Sequence, residues 1–486
     1  MNFASPLFIL LFLPGVMLVF HVLRGPTANS LRAAFLIAAS IAFYLWSGLH
    51  NATVLAFSLT ATFACGRLVT GFGKERETLR RGLMWSGIAV NIGLLAAFKV
   101  NALDVSNADG FRTAEQILIP LGLSYVTFQQ IGFLVACRRG QITAPSLRDY
   151  LFFITFFPHL LMGPIVRFQD MAGQLGDRSL ARVDASDVAT GLSIFVFGLA
   201  QKVLLADQIA PAIDRIFVAA RSAPISPAEG WVGIIAFQMQ LYFDFVAYSD
   251  MAIGLARMFG IRLPINFDRP LFAVDRFDLW RRWHITFAIF MRTHVFQPLV
   301  RRRRMPVIMA LAITGVLSGL WHGLGWTFVV WGVIQTAILL VVHERRRRNR
   351  QPGGAGGFSR VRAIALTFLT SALIGAIFRA PTLDSARHVY GALVGFGAAA
   401  ETSLIGTRML VMLPLCLLIA WGAPSSAQLF GRHWNALDLR PEPTPVPPHR
   451  FPGFQLTPAW ALATAAALVL CLCLIGDARR FVYVQF

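Results

Sequence analysis

The sequence predicts an all-α polytopic membrane protein of about twelve spanning helices, with re-entrant segments between them. Three observations carry this. First, the 486 residues are 56% hydrophobic and only 14% charged, where water-soluble chains carry about a quarter charged residues. Second, apolar runs of about 17–25 residues, the length that crosses a hydrocarbon core, recur from end to end. They are continuously apolar rather than alternating, which excludes a barrel of spanning strands. Third, the cations cluster beside those runs, at Lys74 to Arg81, Arg138-Arg139, Arg301 to Arg304 and Arg345 to Arg348. Basic residues in short loops mark the cytoplasmic side.

The same clusters carry much of the net charge of +20. No nucleic-acid-binding motif accompanies them, so nucleic acid is not an expected partner. Cys65, Cys137, Cys416, Cys471 and Cys473 lie in or beside apolar runs and form no CxxC pair. Neither a zinc site nor a disulfide framework is suggested. They read as small packing residues.

In chain order, the runs predict helices over 5–23, 33–48, 51–68, 82–100, 114–136, 187–205, 230–257, 305–320, 326–343, 361–379, 407–423 and 458–475. The first basic residue, Arg24, follows the first run. A secretory leader has the opposite order, so the run reads as an uncleaved helix with its N-terminus outside. Counting from there puts loops 69–81, 137–147, 258–304 and 344–360 in the cytoplasm and the C-terminus outside. Segment 149–166 contains Pro158, His159, Gly163 and Pro164. A full crossing there would move the later arginine clusters outside, so a re-entrant or broken segment enclosed by protein is expected. The chain is one membrane-embedded domain, 1–486. Its motif core covers about 114–343, and the flexible glycine-rich loop 344–360 and an extended, proline-rich loop 424–457 are expected in the cytoplasm.

Polar residues concentrate between Gln238 and Arg304. Asp244 and Asp250 lie six apart in one helix, hence on different faces. They suit ion-pair anchors better than a carboxylate pair, with Arg257, Arg281 and Arg282 as expected partners. Trp280, Arg281, Arg282 and Trp283 read either as an interfacial amphipathic stretch or as the basic mouth for a phosphate-bearing donor. His284 follows them. His322 stands between two apolar runs, flanked by Gly319 and Gly323. An ionisable group inside a membrane generally has a partner or a task, and a histidine can accept a proton at working pH. With no HExxH, G-x-S-x-G or Walker motif in the chain, His322 suits a general base acting on a substrate hydroxyl. A buried structural histidine remains the alternative.

Several stretches together resemble the membrane-bound O-acyltransferase family, in its bacterial branch of alginate O-acetylation and teichoic acid D-alanyl transfer proteins. They are Leu121-Gly122-Leu123-Ser124-Tyr125 to Gln129-Gln130, Phe156-Phe157-Pro158-His159 to Gly163-Pro164, Phe243-Asp244-Phe245 to Tyr248-Ser249-Asp250, Asn266-Phe267, Trp280 to His284, and Leu320-Trp321-His322-Gly323. Val246-Ala247 stands where the family's motif usually has Ser-Gly, and Ala136 where an acidic residue is common. The resemblance implies a ring of helices around a central tunnel, with His322 as catalytic histidine and His284 as the second motif histidine. It implies that Trp280, Arg281, Arg282, Asn266, Tyr125 and Gln129 bind substrate, and that no metal is held. The implied donor is a cytoplasmic thioester, acetyl-CoA or an acyl carrier, with no bound cofactor. The implied reaction is transfer of an acyl group, acetyl foremost, across the inner membrane toward an exported polysaccharide. A periplasmic acetyltransferase, polysaccharide synthesis and export proteins and membrane lipid would be partners. The tail Phe481-Val482-Tyr483-Val484-Gln485-Phe486 resembles that of acyl-export systems, which implies Tyr483 as a candidate acyl-relay residue; an aromatic anchor at the membrane interface is the alternative. The competing classes are a transporter, against which the lack of internal repeats speaks, and a scaffold subunit of a secretion complex.

Overall fold

The computed structural model describes residues 2–25, 27–108, 119–177, 179–348, 357–398, 403–440, 452–476 and 481–482. Among these the architecture is helical, and the β pairing is an isolated bridge between Pro264 and Leu437. The twelve expected helices are present: α1 (Phe8–Val22), α2 (Ala28–Leu45), α3 (Leu49–Gly71), α4 (Glu77–Ala108), α5 (Leu123–Arg138), α6 (Ala185–Ala219), α7 (Pro227–Met258), α8 (Val307–His322), α9 (Trp326–Arg348), α10 (Gly357–Arg379), α11 (Thr407–Gly422) and α12 (Pro458–Leu474). Seven of the described helices are long and apolar enough to cross a membrane, and α1, α8, α11 and α12 are shorter apolar helices. The start of the run expected over 114–136 lies outside the described residues. A helix at Leu383–Leu393 is additional.

Helix packing follows the small residues. A Cβ on Gly198 would lie 2.7 Å from the Ala247 carbonyl, and one on Gly254 2.6 Å from that of Gly191. Glycine therefore sets how closely α6 meets α7, as is usual where apolar lipid supplies no hydrophobic drive between helices. Polar side chains knit α3, α4 and α5: the Ser58 hydroxyl lies 2.9 Å from Gln130 Oε1, and Asn91 Nδ2 donates to Thr62 Oγ1 at 2.7 Å. Gly122, at φ +76°, starts α5 where a side chain would strike the Leu160 carbonyl. That close approach joins two of the motif stretches.

Segment 149–166 is broken. Helices Leu147–Thr155 and Phe157–Leu160 meet at Phe156, and the chain then runs without helix to Phe168. Other parts of the protein satisfy the freed backbone groups. The Phe157 amide donates to Ser40 Oγ and the Ile165 amide to Thr286 Oγ1, both at 3.0 Å.

Three expectations are corrected. Asp244 pairs with buried Lys202 at 2.7 Å, not with an arginine. Asp250 accepts from Gln201 Nε2 at 2.8 Å and from the Ser426 hydroxyl. Lys202 and Gln201 lie in a π-helical stretch of α6, Gln201–Ala206, whose extra residue per turn changes which side chains face α7. Arg257 instead reaches Asp187 and the His433 carbonyl, and Arg282 binds Asp278. Second, segment 258–304 is not one continuous loop. It contains the short helices Arg276–Arg282, Ile285–Met291 and Gln297–Arg303; Trp283 to Phe287 are buried, while Arg301 to Arg304 are exposed. Third, the described part of 424–457 is not extended throughout. It forms a helix, Ser426–Phe430, and Leu437 exchanges backbone hydrogen bonds with Leu263 and Ile265; residues 441–451 lie outside the described part.

Candidate active site

The two motif histidines come together although 38 positions separate them in the sequence. His322 ends α8 and is 5% exposed. Aromatic rings enclose its imidazole: Phe378 lies 4.9 Å away and Trp331 5.2 Å away, both edge-on. Helices α8 and α9 can hold it there because Gly319 packs against the Phe328 carbonyl, leaving no room for a side chain. His284 is 1% exposed and sits in the link between helices Arg276–Arg282 and Ile285–Met291. Its ring stacks on Phe287 at 5.0 Å and meets Phe245 edge-on at 4.8 Å.

Asn266 builds the turn that presents His284. The His284 backbone is left-handed, with φ +44°, a conformation costing about 1–3 kcal/mol for a non-glycine residue. Backbone bonds from the Ile285 amide to the Asn266 carbonyl and from the Asp268 amide to the Arg282 carbonyl, both 2.9 Å, offset it. Asn266 Oδ1 accepts from the Thr286 amide at 3.3 Å, from the Thr286 hydroxyl at 2.9 Å, and lies 3.1 Å from His284 Nδ1. An oxygen that takes the Thr286 amide proton is an acceptor, so His284 Nδ1 is the donor. The network thus assigns the proton to Nδ1 and the lone pair to Nε2.

A cavity of about 60 Å³ has both histidines in its wall, together with Trp280, Phe287, Trp331 and Phe378. It abuts a larger groove of about 470 Å³, with which it shares Trp280, Phe287, Trp331 and Gln335. Arg281, Arg292, Arg346 and Arg440 line that groove. A deep small chamber thus adjoins an outer basic one. The arrangement suits a donor whose anionic part stays outside while its reactive carbon reaches the imidazoles.

The remaining expected residues divide. Trp280 lines both cavities and Arg281 the groove. Arg282 lines neither; its guanidinium binds Asp278 at 2.9 Å and the Asp268 carbonyl at 3.3 Å. Tyr125 is buried, its ring 5.7 Å from Trp321 and 6.3 Å from His284. Gln129 lies elsewhere: it contacts His159 Nδ1 at 3.3 Å and lines a separate cavity of about 440 Å³ with Arg139 and His294. Tyr483 lies outside the described residues. The two residues before it are buried, with the Val482 amide 2.7 Å from Asp244 Oδ2 and Lys202 Nζ 4.5 Å above the Phe481 ring. Sequence reasoning missed Lys99, a buried cation on α4 that touches the last turn of α8. A lone lysine in an apolar run was the available signal.

The model of MBOAT, the membrane-bound O-acyltransferase family, matches residues 121–353. That stretch contains both histidines, Asn266 and the groove residues up to Arg346. The peptidoglycan O-acetyltransferase of Helicobacter pylori is 32% identical over 432 residues, covering 81% of this chain and 80% of that protein. The probable alginate O-acetylase of Pseudomonas putida is 30% identical over 483 residues, 97% of this chain and 96% of the relative. The chain belongs to the membrane-bound O-acyltransferase family. A teichoic acid D-alanyltransferase of Bacillus subtilis is more distant, at 24% over 362 residues, 71% of this chain and 89% of that protein. Family membership makes the chain an acyltransferase and a multi-pass membrane protein. The bundle of apolar helices agrees with the second, and a transporter or scaffold without bond chemistry does not fit the first.

Proposed function

We propose that this acyltransferase moves an acetyl group from a cytoplasmic thioester, acetyl-CoA or an acyl carrier, toward a hydroxyl of an exported polysaccharide. The observation that carries the proposal is the shared small cavity at His284 and His322, beside a groove lined by four arginines. A space of about 60 Å³ suits a group of a few heavy atoms better than a long acyl chain. The names of two relatives, a peptidoglycan O-acetyltransferase and an alginate O-acetylase, support acetyl as the group and a glycan as the acceptor.

In this mechanism the arginine-lined groove takes the phosphate-bearing part of the donor, with Arg281 as its contact and Trp280 as the wall between groove and chamber. The His322 imidazole takes the proton of the attacking hydroxyl, and the oxygen forms a bond to the thioester carbonyl carbon. The tetrahedral intermediate collapses, the carbon–sulfur bond breaks, and the thiolate takes the proton back from the imidazolium. His284 keeps its proton on Nδ1 through Asn266, so Nε2 can accept a hydrogen bond on the donor side of the chamber. Asn266 thus acts through His284, and Tyr125 and Gln129 are assigned no direct contact with substrate.

The first acceptor in this reading is the Tyr483 hydroxyl, since phenolate is a better leaving group than an alkoxide and a tyrosyl ester can therefore pass the acyl group on. Phe481 and Val482 are buried beside Lys202 and Asp244, which supports a chain held against the bundle at the residues just before Tyr483. The chain then sits in the inner membrane with both termini periplasmic, delivering acyl groups to a periplasmic acetyltransferase and polysaccharide export proteins. The test is acyl transfer in membranes: thioester consumption and acyl content of the polymer in the wild type and in His322→Ala.

A further inference from the structure

Helix α8 ends at His322 without the usual stop. A helix leaves its last four carbonyls without intrahelical donors. A following glycine in the left-handed conformation commonly returns amides to them. Gly323 follows here, but it is extended, with φ −173° and ψ 159°. Its amide reaches only back to the Gly319 carbonyl, at 3.3 Å. The next two residues, Leu324 and Gly325, lead directly into α9. With Gly319, Gly323 and Gly325 around it, the turn bearing His322 has little stiffness of its own.

A side chain from a distant helix supplies what the turn lacks. Lys99, on α4, is 6% exposed. Its ammonium donates to the Trp321 carbonyl at 2.5 Å and to the His322 carbonyl at 3.0 Å. Both contacts span more than 220 positions of sequence. A cation at the C-terminus of a helix also meets the negative end of its dipole. A buried ammonium is expensive in a membrane interior and persists where it has such work.

We propose that Lys99 is a positioning residue for acyl transfer: its ammonium clamps the last two carbonyls of α8 and so fixes the turn that carries His322. Lys99 does not touch substrate. It sets where the imidazole sits relative to the chamber shared with His284. The site thereby extends to α4, outside the 121–353 stretch matched by the family model. The inference rests on the reading of His322 as the base.

The test uses the full-length protein in membranes, with acetyl-CoA as the donor probe and rates normalised to folded protein. Lys99→Met keeps the length of the side chain and removes its donors. It is expected to lower kcat at least 10-fold and to leave KM for acetyl-CoA within about 2-fold. Backbone amides of 319–325 should exchange with deuterium faster than in the wild type. Lys99→Arg can donate to both carbonyls and is expected to keep kcat within about 3-fold and wild-type exchange. A folded Lys99→Met with wild-type kcat overturns the proposal. So does a folded Lys99→Arg as inactive as Lys99→Met, because the lysine would then act by something other than the clamp. If Lys99→Met does not accumulate, the arginine variant and Lys99→Gln, expected between the two, decide it by the same readings. Full activity in His322→Ala would remove the base reading alone, and exchange at 319–325 would still report on the clamp.

Discussion

Asn266 separates the architecture of the site from its chemistry. Its side chain is 1% exposed and joins Ser249, Thr286 and His284. Asn266→Ala leaves three donors, the Thr286 amide, the Thr286 hydroxyl and His284 Nδ1, without their shared acceptor. A buried donor left unsatisfied costs about 1–3 kcal/mol. The hydroxyl can rotate to another acceptor, so the loss is set by the amide and the imidazole, about 2–6 kcal/mol in all. The left-handed turn at His284 loses a support as well. Thr286→Val is the control: it removes the hydroxyl between Asn266 and the Ile165 amide, costing about 1–3 kcal/mol, and leaves the His284–Asn266 contact in place. Thermal unfolding in detergent should rank Asn266→Ala below Thr286→Val and both below the wild type. Transfer rates per folded molecule should diverge further. Without Asn266 the proton is free to sit on Nε2, and kcat should fall about 10–100-fold, toward the loss of a positioned acid–base group, while Thr286→Val stays near wild type. Equal kcat in the two folded variants would refute the tautomer argument for His284.

Two further outcomes follow from how the site divides. Arg281→Glu should raise KM for acetyl-CoA with little change in folded yield, since Arg281 lines the groove, whereas Arg282→Glu should lower yield, since Arg282 is held by Asp278 and the Asp268 carbonyl; kinetics in membranes and detergent-resistant yield check both. Tyr483→Phe should abolish acylation of the polymer while leaving the protein assembled, and full acylation in that variant would end the relay.

The helices were readable because a spanning run must be apolar along its whole length, whatever it packs against. The break at Phe156 was readable for a different reason: a full crossing of 149–166 would have moved the later arginine clusters outside, in a run where Pro158 and Pro164 already disfavour one unbroken helix. Partnerships were not. Asp244 was matched to nearby arginines, but its cation, Lys202, comes from a neighbouring helix 42 positions away and is turned inward by a π-helical stretch that no periodicity announces. The burial of Trp283 to Phe287 was hidden by the arginines beside them, which made the whole stretch look like a surface. His284 and His322 were found through their motifs. Asn266 was found the same way, but its function as the acceptor for His284 depends on a turn that only the folded backbone forms. Lys99 shows the same limit from the other side: a lone lysine in an apolar run was passed over, because its target, two carbonyls at the end of another helix, leaves no trace in the sequence.

The central claim is that His322 is the base that activates the attacking hydroxyl in the chamber it shares with His284. The most direct measurement is the acyl-transfer rate of His322→Ala in membranes, at donor saturation and normalised to folded protein. The account predicts a fall of about 10²–10⁴-fold with unchanged expression and helical content. A well-folded His322→Ala that transfers acyl groups at the wild-type rate would contradict it.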